Sequence, residues 1–249
     1  KVLIEAIYSP LVGYDAKGKI VSRLAERWET PDAKTTVFHL RKNVTFHDGT
    51  PFSAEDVKFS LDRILDQKTG ATLRTNLAGV TVSIVDSNTV KLATAEPNAT
   101  LLSILALPEA AIVSKKWMEG GPNVKVQANG TGPFLLKAYE PSVRAMLEKN
   151  PKYYIKWQPY LAAVEFKMIK SDGARVNALR GHAVDMIDFV PWKDIDPLRK
   201  APTLVVDMDS GQVLHQEDAT RSWYPASLTK LMTAYVALKA VRDGRMTLN

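Results

Sequence analysis

Apolar positions along this chain fall into two registers: alternate ones that predict strands, and ones three or four apart that predict helices. The clearest run lies between Leu24 and Leu65. Thr36-Val37-Phe38-His39-Leu40 is rich in β-branched and aromatic residues and predicts a strand. Arg41-Lys42-Asn43 predicts a turn, because Asn tolerates positive φ better than most residues. Val44-Thr45-Phe46 resumes the strand pattern, so a hairpin is expected, and His47-Asp48-Gly49-Thr50-Pro51 breaks it. Ser53 is then an N-cap, and Asp56 makes a variant of the capping box with its carboxylate near the helix N-terminus. Val57, Leu61, Ile64 and Leu65 line one face of the helix that follows.

The same reading carries through the rest of the chain. Gly70 supplies a stop after this helix. Val80, Val82 and Ile84 alternate, Asp86-Ser87-Asn88 turns, and Val90 and Leu92 alternate again, a second hairpin. Asn98 caps a short helix through Leu101, Leu102 and Leu105, which Pro108 ends. Asn129-Gly130-Thr131-Gly132-Pro133-Phe134 is a turn leading into a strand; it is a weak phosphate cradle, since no GxGxxG and no helix start follow. Val164 to Ile169 predicts a strand, Ala174 to Leu179 a short helix, and Met186 to Val190 a buried strand. Leu204-Val205-Val206-Asp207 and Gln212-Val213-Leu214-His215 predict a hairpin across Asp209-Ser210-Gly211. A helix begins at Pro225-Ala226, presents Leu228, Leu231, Met232, Tyr235 and Leu238 on one face, and ends at Gly244.

Two resemblances overlie these elements. LAERWE, FHLRKNVTFHDGTPFSAEDV, the helix after it, the Gly-Thr-Gly-Pro-Phe turn and LEKNPKYY resemble the extracellular solute-binding proteins of peptide-type ABC transporters. The stretch from Ala110 to Trp117 resembles that family's next strand and short helix, and Gly181 to Asp185 its turn into a buried strand. The resemblance holds to about Lys200. It implies an α/β fold of the periplasmic-binding-protein-like type II class, here as partial lobes, and an extracytoplasmic location. Its implied partners are a peptide or similar small solute and an ABC transporter permease. Because that family's members are far longer, the expectation for residues 1–202 is an incomplete solute-binding domain with impaired binding.

From Thr203 the likeness changes. Residues 203–249 resemble the start of serine-type D-alanyl-D-alanine carboxypeptidases, the low-molecular-mass penicillin-binding proteins, through Ser227-Leu228-Thr229-Lys230 framed by YPASLTKLMTAYVAL. That implies an incomplete β-lactamase/transpeptidase-like hairpin and active-site helix, with Ser227 and Lys230 as catalytic residues. Residues three apart share a helix face, so the Lys230 amine can reach the Ser227 hydroxyl, a weak nucleophile until a base takes its proton. A peptidoglycan stem peptide or a β-lactam would then be a further partner. The matching Ser-x-Asn motif has no counterpart, and Lys68-Thr69-Gly70 lies in the wrong context, so the expectation is an inactive fragment whose hairpin leaves open sheet edges. The whole reads as a fusion near Ala201-Pro202.

Composition narrows this picture in few places. The chain has 249 residues, no Cys and a net charge of +6. All of the excess lies before Thr203, since five basic and five acidic residues follow it. The basic residues are scattered without interleaved aromatics, which argues against a nucleic-acid partner. His39, His47, His182 and His215 lie in no metal-ligand spacing and read as surface residues of turns and strands. No metal and no cofactor is expected. Trp28, Phe38, Phe46 and Phe59 read as packing. Trp192 follows a buried strand, where α/β ligand sites tend to lie, and is the candidate ligand-binding aromatic.

Overall fold

The computed structural model describes residues 2–15, 17–188, 190–200, 204–206 and 213–215. The chain divides into two compact units, Lys1–Phe166 and Lys167–Asn249. The first unit opens with α1 (Val2–Ile7) and the antiparallel pair β1 (Val12–Tyr14) and β2 (Ile20–Ser22). Next come β3 (Ala25–Asp32), β4 (Thr35–Leu40), α2 (Ala54–Leu65), β5 (Val80–Asp86) and β6 (Thr89–Thr94). The four strands make an antiparallel sheet in the order β3-β4-β6-β5. Two short helices follow, α3 (Leu101–Leu105) and α4 (Lys115–Glu119). A three-stranded sheet of β7 (Phe134–Glu140), β8 (Arg144–Lys149) and β9 (Ala163–Lys167) closes the unit.

The strand period and the helix period meet in one core. Along β4 every second residue is buried, Thr36, Phe38 and Leu40, and Val57, Leu61 and Ile64 turn the apolar face of α2 onto the same cluster. Phe38, Leu61 and Leu92 are each at most 1% exposed, and fully burying a side chain of that size is worth about 1.5–3 kcal/mol. The expected capping box forms: the Ser53 backbone N–H donates to Asp56 Oδ2 at 2.9 Å. Asp56 and Ser60, though polar, are buried on α2 because they fasten the next segment. Asp56 Oδ1 accepts from the Lys115 N–H at 2.9 Å, and Ser60 Oγ accepts from the Val113 N–H at 2.9 Å.

The first expected hairpin is corrected. The partner of β4 is the preceding strand β3, with Trp28 opposite Phe38, whereas Val44–Phe46 forms only an isolated bridge from Thr45 to Pro51. Asn43 does take the left-handed conformation, with φ at 62°. The segment beyond it then spends its hydrogen bonds on its own loop, Phe46 N–H to Thr50 O at 2.8 Å and Phe52 N–H to Val44 O at 3.0 Å. That drives Val44, Phe46 and Phe52 into the core. β3 escapes the pattern because it is a mostly exposed edge strand carrying Glu26, Arg27, Glu29 and Pro31, the residues that protect an edge. His39 is held by Glu29 across this pair at 2.7 Å. A second correction concerns Ala110–Trp117: no strand forms there, since the Ile112 N–H goes to Ser9 O and the Val113 N–H to Ser60.

The second unit holds α5 (Asp172–Arg180), β10 (Met186–Ile187), α6 (Trp192–Arg199), β11 (Leu204–Val206) and β12 (Val213–His215). Ser171 caps α5, its Oγ accepting from the Ala174 N–H at 3.4 Å, and Gly181 follows its last turn. Val176, Leu179, Ile187, Val190 and Leu198 are buried together. The strand expected over Met186–Val190 shortens to its first two residues, just before Pro191 opens α6. The two strands of the late hairpin pair antiparallel, with Val205 opposite Leu214, and its turn lies outside the described residues. Its edge is not open on both sides, because β12 also pairs with β10, Met186 opposite Leu214.

Candidate functional site

In the first unit, the two turns that stand out most in the sequence meet. The His47 backbone N–H donates to Gly130 O at 2.8 Å, the Asp48 N–H donates to Asn129 Oδ1 at 3.1 Å, and Asn150 Nδ2 donates to Gly132 O at 2.9 Å. The His47 ring bridges the same turn: Nε2 lies 3.1 Å from Gly132 O, and Nδ1 lies 3.4 Å from the Gly130 nitrogen. These partners assign the neutral ring with its proton on Nε2. Burial lowers the His47 pKa, opposed by the Gly132 carbonyl and by Asp48. His47 is thus a half-buried bridge rather than the surface residue the sequence suggests.

The two glycines of the turn are needed for close approach. The Gly132 N–H donates to Ile7 O at 2.8 Å. A Cβ on Gly130 would fall 2.0 Å from Ile7 O, and one on Gly132 would fall 2.5 Å from the Ile7 carbonyl carbon. The turn therefore lies flat on the end of α1. Its glycines face carbonyl oxygens, which suits no phosphate.

Beyond α1, Tyr8 and Ser9 continue into a polar layer. The Tyr153 and Tyr154 rings pack with centroids 4.7 Å apart, and the Arg41 guanidinium lies 5.7 Å from the centre of the Tyr154 ring. Arg41 is fixed by Nε donating to Arg23 O at 2.6 Å and by an Nη donating to Ser22 Oγ at 3.2 Å. Arg23 lies across Gly13, where an added Cβ would sit 3.0 Å from its Nε, and donates to Tyr14 O at 3.3 Å. Burial pushes the Tyr153 and Tyr154 hydroxyl pKa values up, while Arg23 and Arg41 pull both down. Tyr8 is likewise raised by burial. Two buried polar atoms here, Asn129 Nδ2 and Thr131 Oγ1, have no hydrogen-bond partner, and the Tyr154 hydroxyl meets Ser9 and Tyr153 only at poor geometry. Unmet buried polar groups are costly, and native proteins keep few of them. The layer offers hydrogen-bond donors and cations. His47, the histidine beside it, has both ring nitrogens engaged.

The residues singled out in the sequence lie elsewhere. Trp192 opens α6 in the second unit and is 91% exposed. Ser227 and Lys230 lie outside the described residues, as does the helix expected from Ala226. Tyr8, Ser9, Arg23, Arg41, Thr131, Tyr153 and Tyr154 were missed as site residues, although NPKYY and the Arg that ends FHLR were visible. Among the described residues no cluster of His, Asp and Glu could hold a metal ion, and no helix is long and apolar enough to cross a membrane. An open groove beside α2 is bridged by its own ion pairs, Lys58–Asp62 at 2.6 Å and Lys115–Glu55 at 3.1 Å.

The sequence model of the bacterial extracellular solute-binding proteins, family 5, matches residues 19–230. The dipeptide-binding protein of Escherichia coli K12 is 29% identical over 223 residues, covering 78% of this chain and 41% of that protein. Among solved structures, the binding protein AgaA in complex with agropinic acid, from A. tumefaciens R10, is similar at 38% identity and a TM-score of 0.78, over 81% of this chain and 42% of that one. MoaA in complex with mannopinic acid, from the same source, is similar at 28% identity and a TM-score of 0.75, over 82% and 43%. The chain spans about two-fifths of the length of these relatives.

Proposed function

The chain belongs to the family 5 bacterial extracellular solute-binding proteins, and we propose that it captures a peptide or similar small solute outside the cytoplasm for delivery to an ABC transporter permease. The observation that carries this reading is the family match over residues 19–230, which takes in the β3–β4 pair, the HDGTPF turn, α2 and the Gly-Thr-Gly-Pro-Phe turn. The polar layer at Tyr8, Ser9, Thr131 and Tyr154 supports capture by hydrogen bonding rather than by covalent chemistry. Within this class, the 38% identity to a protein bound to agropinic acid favours a small acidic solute over a neutral peptide. Trp192 stays a candidate contact on the second unit, since a fully presented indole is a ready stacking surface. Calorimetric titration of the chain with trialanine and with agropinic acid tests the reading. Saturable heat with either supports it, and flat traces with both at millimolar concentration contradict it.

A second reading rests only on the framed S-x-x-K motif, a serine carboxypeptidase segment with Ser227 as nucleophile and Lys230 as its base, and the family 5 match, which runs through residue 230, counts against it. A lysine in water has a pKa near 10.4 and is charged at neutral pH, so the pair needs a buried site to work. The expected result is no labelling by fluorescent penicillin. An adduct mapped to Ser227 and lost in Ser227→Ala would establish this chemistry.

A further inference from the structure

Arg23 and Arg41 differ from the other arginines whose contacts are described in the first unit. Arg27 lies 3.7 Å from Glu29, and Arg144 pairs with Glu140 at 2.6 Å. Among the described residues neither Arg23 nor Arg41 reaches a carboxylate. Their hydrogen bonds go instead to neutral acceptors, Tyr14 O for one and Arg23 O with Ser22 Oγ for the other. Both side chains are half-buried. A half-buried cation gives up part of its hydration, so an arrangement that supplies no counter-charge of its own is costly.

Three features make the pair a shaped feature rather than two chance surface cations. Gly13 leaves the space in which Arg23 lies, and a Cβ there would press on its Nε at 3.0 Å and its Cγ at 3.1 Å. Arg41 is fixed over the Tyr154 ring by two hydrogen bonds, which reduces the entropy lost when its remaining N–H groups engage a ligand. The Tyr154 hydroxyl is buried next to this assembly, beside Ser9 and Tyr153, and neither meets it at full hydrogen-bond geometry. Guanidinium forks match the two oxygens of a carboxylate, and a tyrosine hydroxyl supplies a further donor.

We infer that Arg23, Arg41 and the Tyr154 hydroxyl form a carboxylate-binding subsite in the first unit, which takes the acid group of a small organic anion. This rests on the solute-binding reading and narrows its substrate class to acidic solutes. No proton is transferred: the carboxylate binds in its ionised form.

The test is a titration of the 249-residue chain, labelled with ¹⁵N arginine, with succinate, uncharged succinamide and sulfate, following the arginine Nε–Hε signals. The expected result is saturable movement of the Arg23 and Arg41 signals at millimolar succinate and none with succinamide. Arg23→Gln is expected to weaken succinate by about tenfold, and Gly13→Ala several-fold by pushing Arg23 aside, with the fold checked in each by its amide spectrum. Arg23→Lys should recover only part of the affinity, because an ammonium cannot make the paired contact. A linear drift that never saturates would overturn the subsite, as would a response unchanged in Arg23→Gln. Sulfate binding as tightly as succinate would overturn its assignment to carboxylates. Calorimetry with trialanine and agropinic acid runs in parallel. Trialanine captured without any succinate response refutes the subsite alone, and a succinate response beside flat traces with both trialanine and agropinic acid refutes capture of those solutes and leaves the subsite standing.

Discussion

The two compact units are held together in different ways. In the first, a four-stranded sheet and α2 close on Phe38, Phe46, Leu61 and Leu92, and polar side chains such as Asp56 and Ser60 are buried only where they fasten a neighbouring segment. In the second, among the described residues, Val176, Leu179, Ile187, Val190 and Leu198 make the core, and the sheet is a short ladder of β10, β12 and β11. The first unit fixes its turns by long-range bonds, His47 to Gly130 and Gly132, and so presents polar groups in set positions, the preorganisation that binding rewards. The described residues of the second show the Ser171 cap and a small apolar cluster.

The largest expected effect tests whether the units are energetically separate. Phe38→Ala should cost about 3–5 kcal/mol in urea denaturation, the usual loss for a large buried aromatic, while amide exchange in α5 and α6 stays at its wild-type rate. Equal acceleration in both units would mean one cooperative body and break the comparison.

The next contrasts two glycines. Gly130→Ala forces a methyl against the Ile7 backbone, which cannot swing away as a side chain would, and should cost about 1–3 kcal/mol. Gly173→Ala in α5 meets nothing within 4 Å and should gain up to about 0.5–1 kcal/mol from the helix preference of alanine over glycine. A neutral Gly130→Ala in thermal and urea melts would mean the turn does not lie against α1 as described.

The smallest is a pH dependence confined to the first unit. Burial gives His47 a lower pKa in the folded chain than in the unfolded one, so the unfolded chain binds its proton first. The contribution is therefore complete above the unfolded value near 6.5 and is lost as pH falls through that value towards the folded one. Urea midpoints measured from pH 7.5 to 5 should fall more in the wild type than in His47→Gln. Parallel curves for the two chains would remove His47 from the account.

The contrast between the units also explains how far the sequence could be read. The β5–β6 hairpin, the Ser53 cap with Asp56 and the apolar face of α2 follow from local periodicity, and the structure has them where the pattern puts them. β3 was not legible because an exposed edge strand carries charges where the pattern seeks apolar residues. The partner of β4 was misread because Val44 and Phe46 are buried by a loop, and burial alone cannot distinguish a loop residue from a strand residue. The polar layer was hidden for a further reason. Tyr8, Arg23, Arg41, Thr131 and Tyr154 are distant in sequence: the Gly130–Gly132 turn closes on α1 near Tyr8, and Arg41 meets Arg23 through the backbone bonds at the end of the β3–β4 pair.

Hydrogen exchange by mass spectrometry, with and without saturating agropinic acid or trialanine, tests the central claim that the first unit's polar layer receives the solute. The account predicts slowed exchange in peptides covering residues 7–14, 127–134 and 151–157. Bound solute that slows exchange only in residues 172–199, with those three segments unchanged, would contradict it.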